Sequence, residues 1–307
     1  MKNFVKVLCF TLSFIVVIGV SLFGYLEWYK SDFDFIETTD SDAVMITGYN
    51  GTDKDVKIPS KIRGKSVTKI DGLAFENSDI TSIDIGDSIT YIGKSTFRGC
   101  KALKSVKLGK SLKNIDEGCF NDCVELESII LPESLEVLGQ NIFSGCSSLT
   151  EVKLESDESF TIRDDIVFSS DMKTLVFALP YAKLGNYTCP DSVTKINESA
   201  FSGCESLTGF TFSKNMTVVP RGIFINCTAL KEVSVPDNIA KISSLITTGS
   251  GITRITIPSS VKEIDSLAFY DNEKDIAASK NVTIVTVKGS VAQSFAEKNE
   301  MKLEYIK

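Results

Sequence analysis

The sequence predicts a repeat solenoid, β-rich with short helical turns, preceded by one N-terminal transmembrane helix. Three observations carry that expectation. Apolar residues recur in register about every 23 residues, five of the seven prolines share one place in the repeat, and an uncharged apolar run of 20 residues lies near the N-terminus.

The apolar run extends from Val7 to Leu26. At helical rise it spans about 30 Å, the thickness of one hydrocarbon core. Lys2 and Lys6 precede it, while Asp32, Asp34 and Glu37 follow, a bias that keeps the N-terminus cytoplasmic and sends the rest of the chain across. The run is longer than the apolar stretch of an ordinary signal peptide and lacks a small-residue cleavage site after it. Trp28 and Tyr29 stand where interfacial aromatics hold a spanning helix. Residues 1–30 therefore read as a retained single-pass anchor at the cell membrane, with the C-terminal domain extracellular; cleavage would instead release a secreted chain. Cys9, inside the run, reads as an ordinary apolar residue. Residues 31–45 read as a linker and 46–307 as the solenoid.

The repeat is clearest from Leu103, which is followed by Val106, Leu108, Leu112, Ile115, Phe120 and Cys123. The same spacing from Leu126 gives Ile129, Leu131, Leu135, Leu138, Phe143 and Cys146, and from Ile80 it ends on Phe97 and Cys100. The frame returns at Leu184 and Leu207, ending on Phe201 and Cys204 and on Phe224 and Cys227. From Ile252 it reaches Phe269. The first three apolar positions suit a short strand pointing into a narrow coil, and the proline after them ends ladder pairing because it has no N–H. The segment closing in Phe-x-x-Cys reads as a helical turn with one face buried. No coil buries these residues alone, so each must rest on its copy next door at a strand spacing of about 4.8 Å. Phe97, Phe120, Phe143, Phe201, Phe224 and Phe269, with Cys100, Cys123, Cys146, Cys204 and Cys227, are the predicted core ladder. Two departures stand out. The repeat beginning at Leu149 runs 35 residues and contains Ile162 to Pro180, which reads as two short strands around a turn; the repeat from Leu230 lacks its Phe and Cys, which predicts a looser turn.

With these residues in view, the chain resembles the BspA-type leucine-rich repeats of bacterial surface proteins. The resemblance rests on Ile80 to Cys100, Leu126 to Cys146 and Ile252 to Phe269, with Ile46 to Ile70 similar to that family's capping repeat and Val287 to Lys307 to its closing cap. It covers about 260 residues and implies an N-terminal cap at 46–79 and a C-terminal cap at 276–307. It implies an extracellular leucine-rich-repeat solenoid used for adhesion or ligand binding, with a protein or glycan ligand, and implies no particular ligand.

Eight cysteines in an exported chain usually suggest disulfides. Here Cys100, Cys123, Cys146, Cys204 and Cys227 share one core position and Cys189 holds another, so they read as reduced, buried, small apolar residues. No Cys-x-x-Cys pair points to zinc. The acidic groups at Asp40–Asp42, Asp157–Glu158 and Asp164–Asp165 lack EF-hand spacing and read as solvated loops. No cofactor is expected.

The chain has no histidine, which removes the usual Ser-His-Asp and Cys-His sites. No paired carboxylates or phosphate loop stand in its place, so no enzyme is expected. Without Lys2 and Lys6, 31 of the 33 basic residues face all 40 acidic ones, a net charge of −9 that gives a nucleic-acid partner no support. The remaining candidate is the outward face of the repeat strands, whose most featured stretch is Lys104, Lys107, Glu127, Ile130, Glu151 and Lys153. A solvated strand face is the plainer reading of each residue alone. Tyr181 and Tyr187 are further exposed candidates, although Tyr187 also fits a core position. Two roles follow: an adhesion module for host or cell-surface ligands, or a scaffold docking an envelope partner of the same cell.

Overall fold

The computed structural model describes residues 31–39, 42–270 and 280–306. The expected anchor at 1–30 lies outside them, as do parts of the acidic group at 40–42 and of the C-terminal cap. Among the described residues no helix is long and apolar enough to cross a membrane.

The 23-residue spacing becomes strand register. In the front sheet, Asp55 pairs with Ser82, Ser82 with Ser105, Ser105 with Ser128 and Ser128 with Glu151, all in parallel. A second stack of two-residue strands runs through Tyr91–Ile92, Asn114–Ile115 and Val137–Leu138. The prolines open the turns between the two stacks, for the carbonyls of Pro132, Pro190 and Pro236 accept from Leu135, Val193 and Ile239.

The return arm differs from expectation. It is not a helical turn but two successive tight turns, as at Arg98 N–H to Ser95 O and Cys100 N–H to Phe97 O, laddered to the next coil by Ser95 to Glu117, Phe97 to Cys119 and Gly99 to Asn121. Two residues per arm take left-handed backbone, such as Ser95 and Gly99 or Asn141 and Gly145, which a helix would not allow. At Gly145 a side chain would be doubly excluded, by φ of +76° and by collision with Asp122 Oδ1 of the preceding coil. The helix-like 3.6 spacing of Phe and Cys thus came from a turn pair that buries the same two positions.

Those positions form the spine. Phe75, Phe97, Phe120 and Phe143 stack at centroid distances of 5.2, 5.4 and 5.8 Å, and every predicted ladder Phe and Cys is buried. Each such phenyl contributes roughly 1.5–3 kcal/mol by leaving water. A third inward arm position was not foreseen, occupied by Ala74, Thr96, Cys119, Ile142, Ala200, Ile223, Ile246 and Ala268, all buried. Its mixed sizes and single hydroxyl hid it from an apolar-pattern search.

The ends are closed. Residues 31–45, expected as a linker, contain the strand Phe33–Glu37 and the start of Ala43–Tyr49, an antiparallel hairpin. Phe33 lies 5.3 Å from Tyr49, which stacks at 5.4 Å on Phe75; acidic neighbours masked this period-two pattern. At the other end the helix Val291–Lys298, capped by Ser290, buries Ala292 and Ala296 and sets Phe295 edge-on to Phe269 at 5.5 Å.

The long repeat at Leu149 holds three strands rather than two: Phe160–Arg163, Ile166–Ser169 and Thr174–Ala178, paired antiparallel, with the last joining Lys195–Ile196 in parallel. Both faces of this meander are buried. Val167, Val176 and Phe177 belong to the N-terminal core, and Ile166, Phe168 and Leu175 to the C-terminal one, which accounts for its unbroken apolar runs. The meander is a partition, and the front sheet stops at Glu151–Leu154 and restarts at Gly185–Thr188.

The repeat from Leu230 has a more weakly tied arm, since among the described residues the Thr247 and Gly249 N–H groups find no backbone acceptor. It stays in the stack through Leu245 to Leu267, Ile246 to Ala268 and Asn226 to Thr248. Thr247 occupies the Phe position, buried, with its hydroxyl unpartnered. Thr247→Val should therefore raise stability by about 1 kcal/mol in equilibrium urea unfolding, since it removes a buried hydroxyl without changing shape. The seven described thiols are free and buried, and those of Cys100, Cys123, Cys146 and Cys227 donate to the preceding arm's Phe carbonyl at 3.0–3.1 Å. Burial pushes Cys100, Cys146 and Cys204 from the ordinary 9.0 up to about 12. The unfolded chain then ionises first as pH rises, so the stability these thiols supply is complete below pH 9 and is lost toward pH 12. The urea midpoint should fall between pH 9 and 11, and a triple Cys→Ala variant at these positions should show a smaller fall.

Candidate functional site

Strand geometry turns alternate residues of the front sheet outward. Lys104, Lys107, Glu127, Ile130, Glu151 and Lys153 all lie exposed on adjoining coils of that face, so the expected surface exists as a contiguous stripe. Most of its charges are answered locally. Lys107 Nζ is 2.9 Å from Asp84, Lys104 is 3.3 Å from Glu125, and Lys153 is 2.8 Å from Glu151. Burial alone would raise the Asp84 carboxyl, but hydrogen bonds from Lys107 and the Gly86 N–H, with the neighbouring lysine charges, hold it below its ordinary range. Ile130 is 53% exposed in the middle of these pairs and is the stripe's one large apolar contact.

The two tyrosines do other work. The Tyr181 hydroxyl accepts from the Val152 N–H at 3.2 Å, covering part of the strand edge where the front sheet stops. Tyr187 packs among Phe201 and Phe210 at 5.6 and 5.9 Å, a core role, and burial raises its hydroxyl above its ordinary value. The Asp164–Asp165 pair forms the left-handed turn of the meander hairpin.

Two open cavities were not foreseen from sequence. One of about 780 Å³ lies on the front face near Glu232, Arg254 and Lys302. There Arg254 is already paired with Glu304 at 2.8 Å. The other, about 790 Å³, is a notch at the break between the two cores, bordered by Asp122, Gly145, Tyr181, Lys183 and Glu205. Its signal in the sequence was the irregular 35-residue repeat, which marks where stacking is interrupted without revealing what the gap exposes. Among the described residues no group of three or more Cys, Asp or Glu side chains is placed to hold a metal ion.

Comparison with known proteins agrees with this architecture. The family pattern described as BspA type leucine rich repeat region, six copies, matches residues 68–188 and 176–275. No curated protein matches the chain. Among solved structures, a leucine-rich repeat protein from Eubacterium ventriosum aligns with a TM-score of 0.57 at 16% identity, over 84% of this chain and 76% of its own. The pneumococcal vaccine antigen PcpA aligns at 0.51 and 17% identity, over 91% and 100%. A leucine rich cell surface protein from Faecalibacterium prausnitzii aligns at 0.50 and 21% identity, over 86% and 95%. At these identities the structures speak to the fold, while the repeat pattern spans more than half the sequence: the chain belongs to the BspA-type leucine-rich-repeat family.

Proposed function

We propose that the chain is an extracellular binding module, held at the cell membrane by residues 1–30 and adhering through its front face to a protein on a host or neighbouring cell surface. The observation that carries this reading is the stripe from Lys104 to Lys153, exposed side chains repeated coil after coil on a rigid parallel sheet. Repeat stacks use such extended faces for recognition. The apolar run at Val7–Leu26 and the lysines before it support export and anchoring. A cell-surface protein and a vaccine antigen among the similar folds are consistent with an outward location. The sequence has no histidine for acid–base work, and a binding role needs none.

The test displays the full chain on a non-adherent bacterium and counts attachment to epithelial cells. The stripe variant Lys104→Glu, Lys107→Glu, Ile130→Asp should lower attachment at least fivefold. A second-stack control, Lys113→Glu with Val137→Asp, should leave it unchanged. Attachment no better than that of the empty host would sink the adhesion reading; co-purification of one stoichiometric envelope protein would replace it with the scaffold role. Mass measurement of the membrane fraction should find residues 1–30 still attached.

A further inference from the structure

The return arms form a hydrogen-bonded ladder that, among the described residues, loses single donors at Phe224 and at Thr247 and Gly249, and loses all three of its alternate donors at one arm. In four arms, three N–H groups at alternate residues donate to the next arm: Leu73, Phe75 and Asn77; Ser95, Phe97 and Gly99; Gly118, Phe120 and Asp122; Ser199, Phe201 and Gly203. The equivalent donors of the arm before the meander are Asn141, Phe143 and Gly145. None of the three finds an acceptor within the chain among the described residues, and Phe143 is a buried residue, only 2% exposed. Buried backbone donors are almost always satisfied, and leaving one without a partner costs about 1–3 kcal/mol. A row of three on one edge therefore marks a place shaped to receive carbonyl oxygens.

The surroundings narrow the partner. A crevice of about 60 Å³ runs beside these donors, walled opposite by Phe177 and Pro180, and it opens into the 790 Å³ notch. It admits slim carbonyl groups from a chain laid along its mouth and excludes large side chains. Peptide backbone presents carbonyls on one side at alternate residues, the period of the donor row. At the Gly145 end the notch is flanked by Asp122, which overhangs Gly145, and by Glu205. Both carboxylates are exposed, and among the described residues neither is in an ion pair, so with Lys183 on the same notch the rim keeps a net negative charge. They favour a basic side chain where the bound segment leaves the crevice.

We propose that this open rung is a docking site for a peptide segment of a partner protein, which gives carbonyl oxygens to the Asn141, Phe143 and Gly145 N–H groups and a basic side chain to Asp122 and Glu205. The site deepens the binding reading by naming a ligand class, and it rests on that reading. Small residues precede the basic one in the segment it selects. Docking completes the ladder, in the manner of strand addition at a sheet edge, and displaces only water.

The probe is the acetylated, amidated hexapeptide Ser-Ala-Ser-Ala-Ser-Lys, with a Glu-ended control, added to the full chain in lipid nanodiscs. Amide hydrogen exchange at residues 141, 143 and 145 should be faster than at the paired residues 95, 97 and 99 in the free chain, and at least tenfold slower with saturating probe. The Glu-ended peptide should bind at least fivefold more weakly. Ser144→Trp, which crowds the crevice mouth, should abolish the protection. Asp122→Asn with Glu205→Gln, on exposed positions that leave the fold intact, should weaken the Lys-ended probe at least fivefold, whereas Asp157→Asn with Glu158→Gln should not. Equal exchange at both sets of amides in the free chain, no protection by either peptide, or equal weakening by the two charge-removing pairs would overturn the proposal. Retained probe binding with no cell attachment would refute the adhesion reading alone; attachment unchanged by the Asp122 and Glu205 pair together with no probe binding would refute the rung alone.

Discussion

Contact between a phenyl ring and its copy one coil away is the interaction on which the rest of this molecule depends. A coil of 23 residues has too little interior to bury itself, and a ring on its inner wall is half covered until the next coil arrives. The rings at Phe75, Phe97, Phe120 and Phe143 stand 5.2–5.8 Å apart, so the same contact that buries them fixes the rise between strands. The thiols reinforce that spacing, each donating to the carbonyl of the preceding ring's residue. Packing and backbone pairing therefore share one period, and a change that disturbs either is felt by both.

Most of the fold was legible in sequence because that period is written into residue types. The strand positions and the Phe and Cys columns follow from apolar spacing, and the shared place of the prolines marks the turns. What escaped did so for identifiable reasons. The arm mimics helical spacing while using left-handed residues such as Ser95 and Asn141, and backbone handedness leaves only a weak trace in a sequence when glycine is absent. The hairpin at Phe33 was hidden by alternating acids. The meander's first strand, Phe160–Arg163, left little trace because only Phe160 is buried and the strand ends on Arg163 at an acidic turn.

The candidate surface divides in the same way. Alternation within the front strands turns Lys107, Ile130, Glu151 and Lys153 outward, while Lys104 and Glu127 lie just before their strands and are exposed there. That Lys107 spends its charge on Asp84, 23 residues away, depends on rotamers and register together, which no spacing rule supplies. The unanswered N–H groups at 141, 143 and 145 are further still from the sequence. They arise from a mismatch between a regular arm and an irregular neighbour, and a mismatch is a property of the pair.

The hairpin at the start of the stack begins close in sequence to the apolar run. Only six residues separate Leu26, the end of the apolar run, from the first strand at Phe33, a contour of at most about 20 Å. For a chain tethered there, the solenoid is a mast stepped directly on its deck rather than a float on a line. The length of the stack is set by coil number, about 4.8 Å for every rung, and the helix Val291–Lys298 closes its far end. Lengthening such a protein by whole repeats would extend its reach without altering what any one rung presents.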